Sequence, residues 1–386
     1  MKKYYIGWDV GAWHCPETGK KSKDAIAILD EKRELIGKLW EGNLTEIILK
    51  TVGKVKTEPT EFFIEEIFHQ CKIKKFAIKK DASFCIAIDT PLGWTKSFRK
   101  LLTMWSSNKN NKDLKLGRMG SKNNNPILTR KTEKRFGNPL SVIQDQIGSQ
   151  STKAMYLLSL LKPARVSTGV WKTTSPNLTI IETYPAPCMR SLAFIEHMKD
   201  IKPKTTTISS SDKFDALICA NLAYCFENPP PENPIDSPPA GIDPEGWIFA
   251  PETILDSKFG ISYPKLIGTK NLNELLSEIQ IAIVLSAIEK DEKKKKKEIR
   301  FTSQLKVVTD WASRNNKLLQ DFHEDYGSPQ LVRLSQLIEQ LESDKREAKS
   351  DSQCKKLQKK QDDFKKQQSE LMTFDEKLKN YLNRGQ

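Results

Sequence analysis

The sequence is poor in the residues that usually build transition-metal sites and disulfide frameworks. It has four histidines, none at a spacing that suits a shared metal ion, and seven cysteines without a CxxC pair. These absences argue against a zinc site made of cysteine and histidine and against a disulfide-stapled secreted domain. We expect free thiols in a reducing compartment, four of them within apolar stretches, at Cys71, Cys85, Cys219 and Cys225.

Long hydrophobic runs are also missing. The longest apolar segment, 279–288, is interrupted by Gln280 and Ser286, whereas a helix that spans a bilayer needs about 20 apolar residues. The first residues, Met1 to Tyr4, lead directly into a strand pattern instead of an apolar leader. We therefore expect no membrane association and a cytoplasmic location.

No complete phosphate-binding loop for a nucleotide is present. Seven residues separate Gly11 from Gly19 of the Gly19-Lys20-Lys21-Ser22 stretch, which is more than a P-loop allows. Asp9-Val10-Gly11 would suit the first phosphate loop of an actin-like or sugar-kinase-like ATPase, but we find neither the second Asp-Gly-Gly-type loop nor the adenosine loop of that class. An ATPase of that class is therefore the weaker interpretation.

Basic residues outnumber acidic ones. The chain of 386 residues has 63 Lys and Arg against 49 Asp and Glu, which gives a formal net charge of +14. Such an excess favours polyanions, above all nucleic acid, although it also serves solubility. Nucleic acid is the partner class that the charge favours.

The hydrophobic periodicity predicts a mixed α/β sheet with helices on its faces. Three short strands come first, and further strands then alternate with helices. The predicted strands are 3–13, 24–31, 34–41, 83–89 and 178–184, and the predicted helices are 44–56, 60–76, 95–105, 141–161 and 212–226.

Acidic residues stand at the ends of three predicted strands and at the start of a helix. Asp9, Asp89 and Glu182 end apolar strands, and Asp212 and Asp215 open the helix of 212–226. A carboxylate at the tip of a buried strand needs a cation or hydrogen bonds to offset its desolvation. Several hard oxygen ligands from distant segments are what two-metal phosphoryl transfer requires. Taken singly, each acid could also be a helix cap or a turn residue.

The segments around these acids resemble the four blocks of the domain of unknown function 429 family, over roughly residues 3–226. That family is described as predicted nucleases of the ribonuclease H fold. The blocks are Gly7-Trp8-Asp9-Val10-Gly11, Ala87-Ile88-Asp89-Thr90-Pro91-Leu92-Gly93, Glu182-Thr183-Tyr184-Pro185-Ala186 and Asp212-Lys213-Phe214-Asp215-Ala216-Leu217.

The resemblance implies a ribonuclease H-like catalytic domain at 1–227 and a nuclease that depends on Mg²⁺ or Mn²⁺. Asp9, Asp89 and Asp215 are expected as direct metal ligands. Glu182 and Asp212 are expected as further ligands or as acids that position the ligands. Ser211 stands where a family histidine is expected, which weakens any proton-shuttle role there.

A basic insertion separates the second and third acidic blocks, at 106–137. It is rich in Asn and Ser, so a flexible loop that grips phosphates beside the site and a merely solvated insert both fit. Within it, Arg130-Lys131-Thr132-Glu133 resembles an Arg-and-acid block of the family. The expected substrate-binding residues are Lys109, Lys112, Lys115, Lys122, Arg130, Lys131 and Arg135.

The remainder of the chain carries none of these blocks. Residues 228–262 contain a Pro-rich connector followed by a short apolar segment, and 263–386 read as a helical tail. Apolar residues recur every seven positions at Leu357, Phe364, Leu371 and Leu378, but Lys360 and Gln367 interrupt the complementary seam. A weak coiled coil, with a homo-oligomer or a protein partner, and an intramolecular helical hairpin are equally consistent with this pattern.

Three functions are open at this point. The leading one is a metal-dependent nuclease that hydrolyses phosphodiester bonds of DNA or RNA. The second is a catalytically silent nucleic-acid-binding or assembly subunit, with the tail as the dock for a partner. The third and weakest is the actin-like or sugar-kinase-like ATPase.

Overall fold

The computed structural model divides the chain into two compact units. The first comprises 1–260 and 265–277, and the second comprises 261–264 and 278–386. The structure describes residues 2–14, 23–52, 58–73, 76–79, 81–106, 125, 127–136, 147–203, 205–231, 235–251, 270–280, 283 and scattered positions between 335 and 376. Lys109, Lys112, Lys115 and Lys122 lie outside the described residues.

An eight-stranded mixed sheet forms the centre of the first unit, in the order β3-β2-β1-β4-β7-β6-β5, with β9 also pairing with β7. Strands β1, β4 and β7 are parallel, and β2 is antiparallel to both of its neighbours. The strands are β1 Lys3–Asp9, β2 Asp24–Asp30, β3 Trp40–Gly42, β4 Ser83–Asp89, β5 Ala164–Ser167, β6 Val170–Thr173, β7 Asn177–Thr183 and β9 Ile248–Phe249. The short strands β8 Thr207–Ile208 and β10 Lys270–Asn271 form a separate pair.

Helices cover both faces of this sheet, as the hydrophobic periodicity predicted. They are α1 Thr45–Val52, α2 Pro59–Gln70, α3 Lys96–Ser106, α4 Gly148–Leu161, α5 Pro185–Cys188, α6 Leu192–Met198 and α7 Ser211–Glu227, with a 3-10 turn at Glu133–Phe136. On one face, Trp8, Ile86 and Ile180 belong to a core of buried side chains that also includes residues of α1, α2 and α4. The predicted mixed α/β sheet with flanking helices is confirmed.

The other face of the sheet is covered by α7, which lies directly on β1. A Cβ atom added to Gly7 would be 1.9 Å from the carbonyl oxygen of Ala216 and 2.3 Å from the backbone nitrogen of Ala220. Further along the same face, the rings of Tyr5 and Tyr224 are 5.1 Å apart. The helix therefore begins above the carboxyl end of β1 and runs back along the strand.

The strand predicted at 34–41 is wrong over most of its length. Only Trp40–Gly42 is a strand, although Leu35 makes an isolated bridge to Leu29. Gly37 has a φ of +74°, and its backbone passes so close to Cys71 that a Cβ would be 2.3 Å from the Cys71 oxygen. This left-handed turn interrupts the pleat that alternating side chains had indicated.

The antiparallel strands β5 and β6 were not predicted from the sequence. Each has four residues, which is too short for a clear alternation. The available signal was the Thr168-Gly169 pair between two β-branched runs, and Gly169 has a φ of +75° in the turn.

Buried thiols were predicted correctly. Cys71, Cys85, Cys219 and Cys225 are all buried and not bonded to one another. In the described part of the chain, no helix combines the length and the apolar composition needed to cross a membrane.

The second unit contains contacts between two helical segments of the tail. Gln361 donates a hydrogen bond of 2.8 Å to Glu342, and Gln368 donates one of 2.7 Å to Ser335. The partner's number falls from 368 to 361 as the number in the first segment rises from 335 to 342, so the two segments are antiparallel. These contacts favour the intramolecular hairpin over a coiled coil between chains.

Gly7→Ala should strongly destabilise the first unit, because the new methyl group would collide with the backbone of α7. Overpacking against an immovable backbone costs about 3 kcal/mol or more, which urea unfolding would measure. Gly241→Ala is the matched control. No atom lies within 4 Å of the added methyl there, so only the left-handed backbone is penalised, by about 1–2 kcal/mol. Equal losses in the two variants would contradict the close approach of α7.

Candidate active site at the carboxyl ends of the central strands

Asp9 and Asp89 end neighbouring parallel strands and lie side by side. They are register partners between β1 and β4, two positions beyond the Gly7 and Ala87 pair. Partners in a parallel ladder point to the same face of the sheet, so both carboxylates are on the face that α7 covers. Asp9 is 8% exposed.

Helix α7 brings two further acids to this edge of the sheet. The N-cap residue is Ser210, whose hydroxyl oxygen accepts a hydrogen bond from the Lys213 nitrogen. Because the helix is capped by Ser210, neither Asp212 nor Asp215 is needed as the cap, the alternative that the sequence had left open. Asp212 accepts a 2.9 Å hydrogen bond from the backbone nitrogen of Lys23, and Asp215 lies one turn further along.

The electrostatics show that these carboxylates are close together. Burial, followed by the charges of Asp89, Asp215 and Asp212, raises the pKa of Asp9 well above its ordinary value. Burial and the charges of Asp215 and Glu182 do the same to the pKa of Asp89. Burial and the charge of Asp212 raise the pKa of Asp215 to about 7. The cluster is therefore a concentrated region of negative potential once it is ionised.

Glu182 is separated from this cluster by the pleat of the sheet. Its register partner is Ile88, not Asp89, so its side chain leaves from the opposite face. There it forms a two-point ion pair with Arg130, at 2.5 and 2.9 Å, and accepts the Leu92 nitrogen at 2.9 Å. With these bonds it ties together the chain after β4, the end of β7 and Arg130.

Arg130 occupies a different place from the one expected of a phosphate contact. It is 0% exposed, and its guanidinium group also bonds Glu133 at 2.8 Å and the Glu245 carbonyl at 3.0 Å. The other two described residues of the expected set are Lys131, which is exposed, and Arg135, whose guanidinium lies 4.3 Å from the Trp247 ring. In this conformation Arg130 is a structural cation that neutralises Glu182.

The segment 235–251 closes one side of this region, a role that the sequence did not reveal. Strand β9 pairs with the last residues of β7, at Glu182 and Thr183. The Glu245 carboxylate accepts hydrogen bonds from the backbone nitrogens of Lys96 at 2.8 Å and Lys131 at 3.3 Å. The apolar segment at 245–251 therefore packs against the end of β7 and the start of α3.

A buried ion pair between Asp24 and Lys153 holds the loop that follows Asp9, and sequence reasoning missed it. Both side chains are 0% exposed. Asp24 also accepts hydrogen bonds from Trp8 Nε1 at 3.0 Å and from the Gly11 nitrogen at 2.9 Å. The available signal was a lysine on the apolar side of a predicted helix, since a lysine is rarely buried without a partner.

The donor set fits a hard divalent cation by its chemistry, because Asp9, Asp89, Asp212 and Asp215 supply only carboxylate oxygens. Across the described residues, however, no group of three or more His, Cys, Asp or Glu side chains is arranged so that it could hold a metal ion as it stands.

No family model, no curated protein and no solved structure matches this chain. The likeness to the domain of unknown function 429 family therefore rests on the quoted residues.

Lys153→Met should destabilise the fold by about 3–5 kcal/mol, because it leaves the buried Asp24 carboxylate without its cation. Lys50→Met is the control, since Lys50 forms an exposed ion pair with Glu46, and such pairs are worth about 0.3–0.5 kcal/mol. Urea unfolding measures both. Similar free energies of unfolding for the two variants would show that the Lys153 pair is not needed by the fold.

In the presence of EDTA, Asp215→Asn should remove one cause of the loss of stability with rising pH, so that the free energy of unfolding of the variant rises relative to that of wild type. The pKa of Asp215 is about 7 in the fold, against about 3.9 in an unfolded chain. Between these values the native state binds more protons, so this group destabilises the fold as the pH rises. His197 has the opposite effect on the free energy of unfolding, which it raises as the pH rises, because burial lowers the pKa of its side chain to about 4.

Because His197 is present in both proteins, its contribution cancels in the difference between the free energies of unfolding of wild type and Asp215→Asn. We expect the variant to gain stability relative to wild type from pH 4 to pH 8, as measured by urea unfolding at four pH values. A difference that stays constant with pH would contradict the repulsion among these acids.

Proposed function

We propose that this chain is a metal-dependent nuclease that hydrolyses phosphodiester bonds of DNA or RNA. The observation that supports it most is the juxtaposition of Asp9 and Asp89, from neighbouring parallel strands, with Asp215 of α7. Asp9 is buried, and Asp89 and Asp215 are partly buried. The pKa of Asp9 is raised in part by the charges of Asp89 and Asp215, and the pKa of Asp89 in part by the charge of Asp215. A divalent cation relieves such repulsion, whereas a purely structural role leaves it uncompensated.

The ions we propose are Mg²⁺ or Mn²⁺, with Asp9, Asp89 and Asp215 as direct ligands and Asp212 as a further one. When bound, such ions activate a water molecule and stabilise the leaving oxygen of the cleaved phosphodiester. The chain contributes the carboxylates and their placement. Glu182, tied to Arg130 and to the Leu92 nitrogen, fixes the backbone just after Asp89.

The order of the strands supports the proposal, and a ribonuclease H-like fold is itself part of what we propose. The order β3-β2-β1-β4-β7, with β2 antiparallel to its neighbours, agrees with the ribonuclease H-like sheet that the resemblance implies. The resemblance implies that acids at the ends of β1 and β4 work together with an acid near the start of α7. We assign these three roles to Asp9, Asp89 and Asp215.

The net charge of +14 also supports the second candidate, a nucleic-acid-binding subunit without catalysis. Binding and cleavage are separated by one experiment. A panel of labelled single-stranded, double-stranded and branched DNA and RNA would be incubated with Mg²⁺, with Mn²⁺ and with EDTA. Metal-dependent cleavage supports the nuclease, and salt-sensitive binding without cleavage supports the silent subunit.

Asp9→Asn should lower the cleavage rate by on the order of a hundredfold or more, because it removes a negatively charged carboxylate that we propose as a metal ligand. Glu46→Gln is the control, since Glu46 lies on the exposed surface of α1. Rates of product formation and thermal unfolding would be measured on the same preparations. Cleavage that persists in EDTA, or an Asp9→Asn variant as active as Glu46→Gln, would refute the nuclease.

A further inference from the structure

Arg165 leaves the sheet on the face opposite α7, where it is near enough to Arg99 for the two charges to interact. Arg99 is in the first turns of α3, and Arg165 is in β5, where it is the register partner of Trp171. Asp243 joins the two elements. Its carboxylate pairs with Lys96 of α3 at 3.3 Å, and its backbone nitrogen donates to Thr168, just beyond β5, at 2.8 Å.

Within the described residues, neither Arg99 nor Arg165 forms a side-chain hydrogen bond or an ion pair, and the buried Nε of Arg99 has no acceptor there. The Arg165 guanidinium lies 5.2 Å from the Trp171 ring. The Asp243 carboxylate is already shared by Lys96 and Lys131.

Such an arrangement is unfavourable without an anion. Burial lowers the pKa of Arg165 below its ordinary value, and the positive charge of Arg99 lowers it further, whereas the charge of Asp243 raises it. A buried donor without an acceptor costs about 1–3 kcal/mol, and native proteins rarely keep one unless water or an ion completes it. Paired guanidinium groups match the geometry of a phosphate.

We propose that Arg99 and Arg165 form a phosphate-binding site that holds one backbone phosphate of the nucleic-acid substrate. The identity of the phosphate as part of a nucleic acid rests on the proposed function. The Trp171 ring and the neighbouring Lys96 border the site. It is distinct from the basic insertion of 106–137, since both arginines belong to the regular elements of the fold.

The position of the site implies a polymeric substrate. β5 is three strands from β4 in the sheet order, which corresponds to at least about 14 Å at a strand spacing of about 4.8 Å. The true separation is larger, because Arg165 is level with Ile86 and leaves from the face opposite that of Asp89. Nucleotides of one strand rise about 3.4 Å each in a duplex. A phosphate on the arginines is therefore about four nucleotides or more from a phosphate at Asp89, so mononucleotides and dinucleotides cannot reach both.

The first test measures oligonucleotide binding in EDTA, where no metal-dependent cleavage occurs. Fluorescence anisotropy would follow a labelled duplex over a range of salt concentrations for wild type, Arg165→Gln and the double variant Arg99→Gln/Arg165→Gln. Loss of one phosphate contact should reduce the slope of log affinity against log salt by about 0.9. The matched control is Lys172→Gln, which removes one charge from an exposed side chain on the opposite face of the same sheet edge.

Arg99→Lys is a second variant in case the double variant fails to fold. It keeps the charge and loses the planar fork, so its affinity should lie between that of wild type and that of Arg165→Gln. A salt slope in Arg165→Gln equal to that of Lys172→Gln would overturn the assignment of this site to nucleic acid.

The second test does not depend on the nuclease proposal. Inorganic phosphate should raise the melting temperature of wild type above that in chloride at equal ionic strength, and should raise it much less in Arg165→Gln. This difference, found in a protein that binds no nucleic acid, would support the arginine site and refute the proposed function. Normal nucleic-acid binding and cleavage by the double variant, together with a phosphate response equal to that of wild type, would refute the arginine site and leave the proposed function standing.

Discussion

Helix α7 can lie on β1 only because residue 7 has no side chain. With the Ala216 carbonyl within 1.9 Å of where a Cβ would be, the helix is held at backbone distance from the strand. The arrangement of the acidic side chains at the carboxyl ends of β1 and β4 depends on that contact. It sets the height of Asp215 relative to Asp9 and Asp89, and it removes water from between them, which is why burial is the first cause of all three raised pKa values.

The two faces of the sheet divide the acidic residues into two groups with different chemistry. On the α7 face, Asp9, Asp89 and Asp215 repel one another and have no cationic partner among the described contacts. On the other face, Glu182 and Asp24 are each neutralised by a buried cation, Arg130 and Lys153. The paired acids hold together segments that are distant in sequence, whereas the acids on the α7 face are the ones to which our proposal assigns the metal ions.

Much of this could be predicted from the sequence, and the failures have physical reasons. Asp9 and Asp89 end strands of clear apolar character, and Asp215 follows from helical spacing. Glu182 looks equivalent in the sequence, but β7 is paired with β4 so that Thr183, one residue later, is level with Asp89. A single step in register turns a side chain to the opposite face, and register depends on tertiary pairing that no local pattern encodes. The same holds for Lys153 and for 235–251, whose partners lie far away in sequence.

Strand β9 places a late part of the chain against the end of β7, and this has a consequence for biosynthesis. Until residue 249 has left the ribosome, one edge of β7 at Glu182 and Thr183 has no strand to pair with. The carbonyl of Glu245, which completes the surroundings of Arg130, is likewise missing. Until nearly all of the first unit has been translated, it therefore exposes an open strand edge, and the Arg130 guanidinium lacks one of its acceptors. Pairings over such long sequence separations form slowly. A stable first unit must therefore extend well past Asp215, through the whole segment that contains β9.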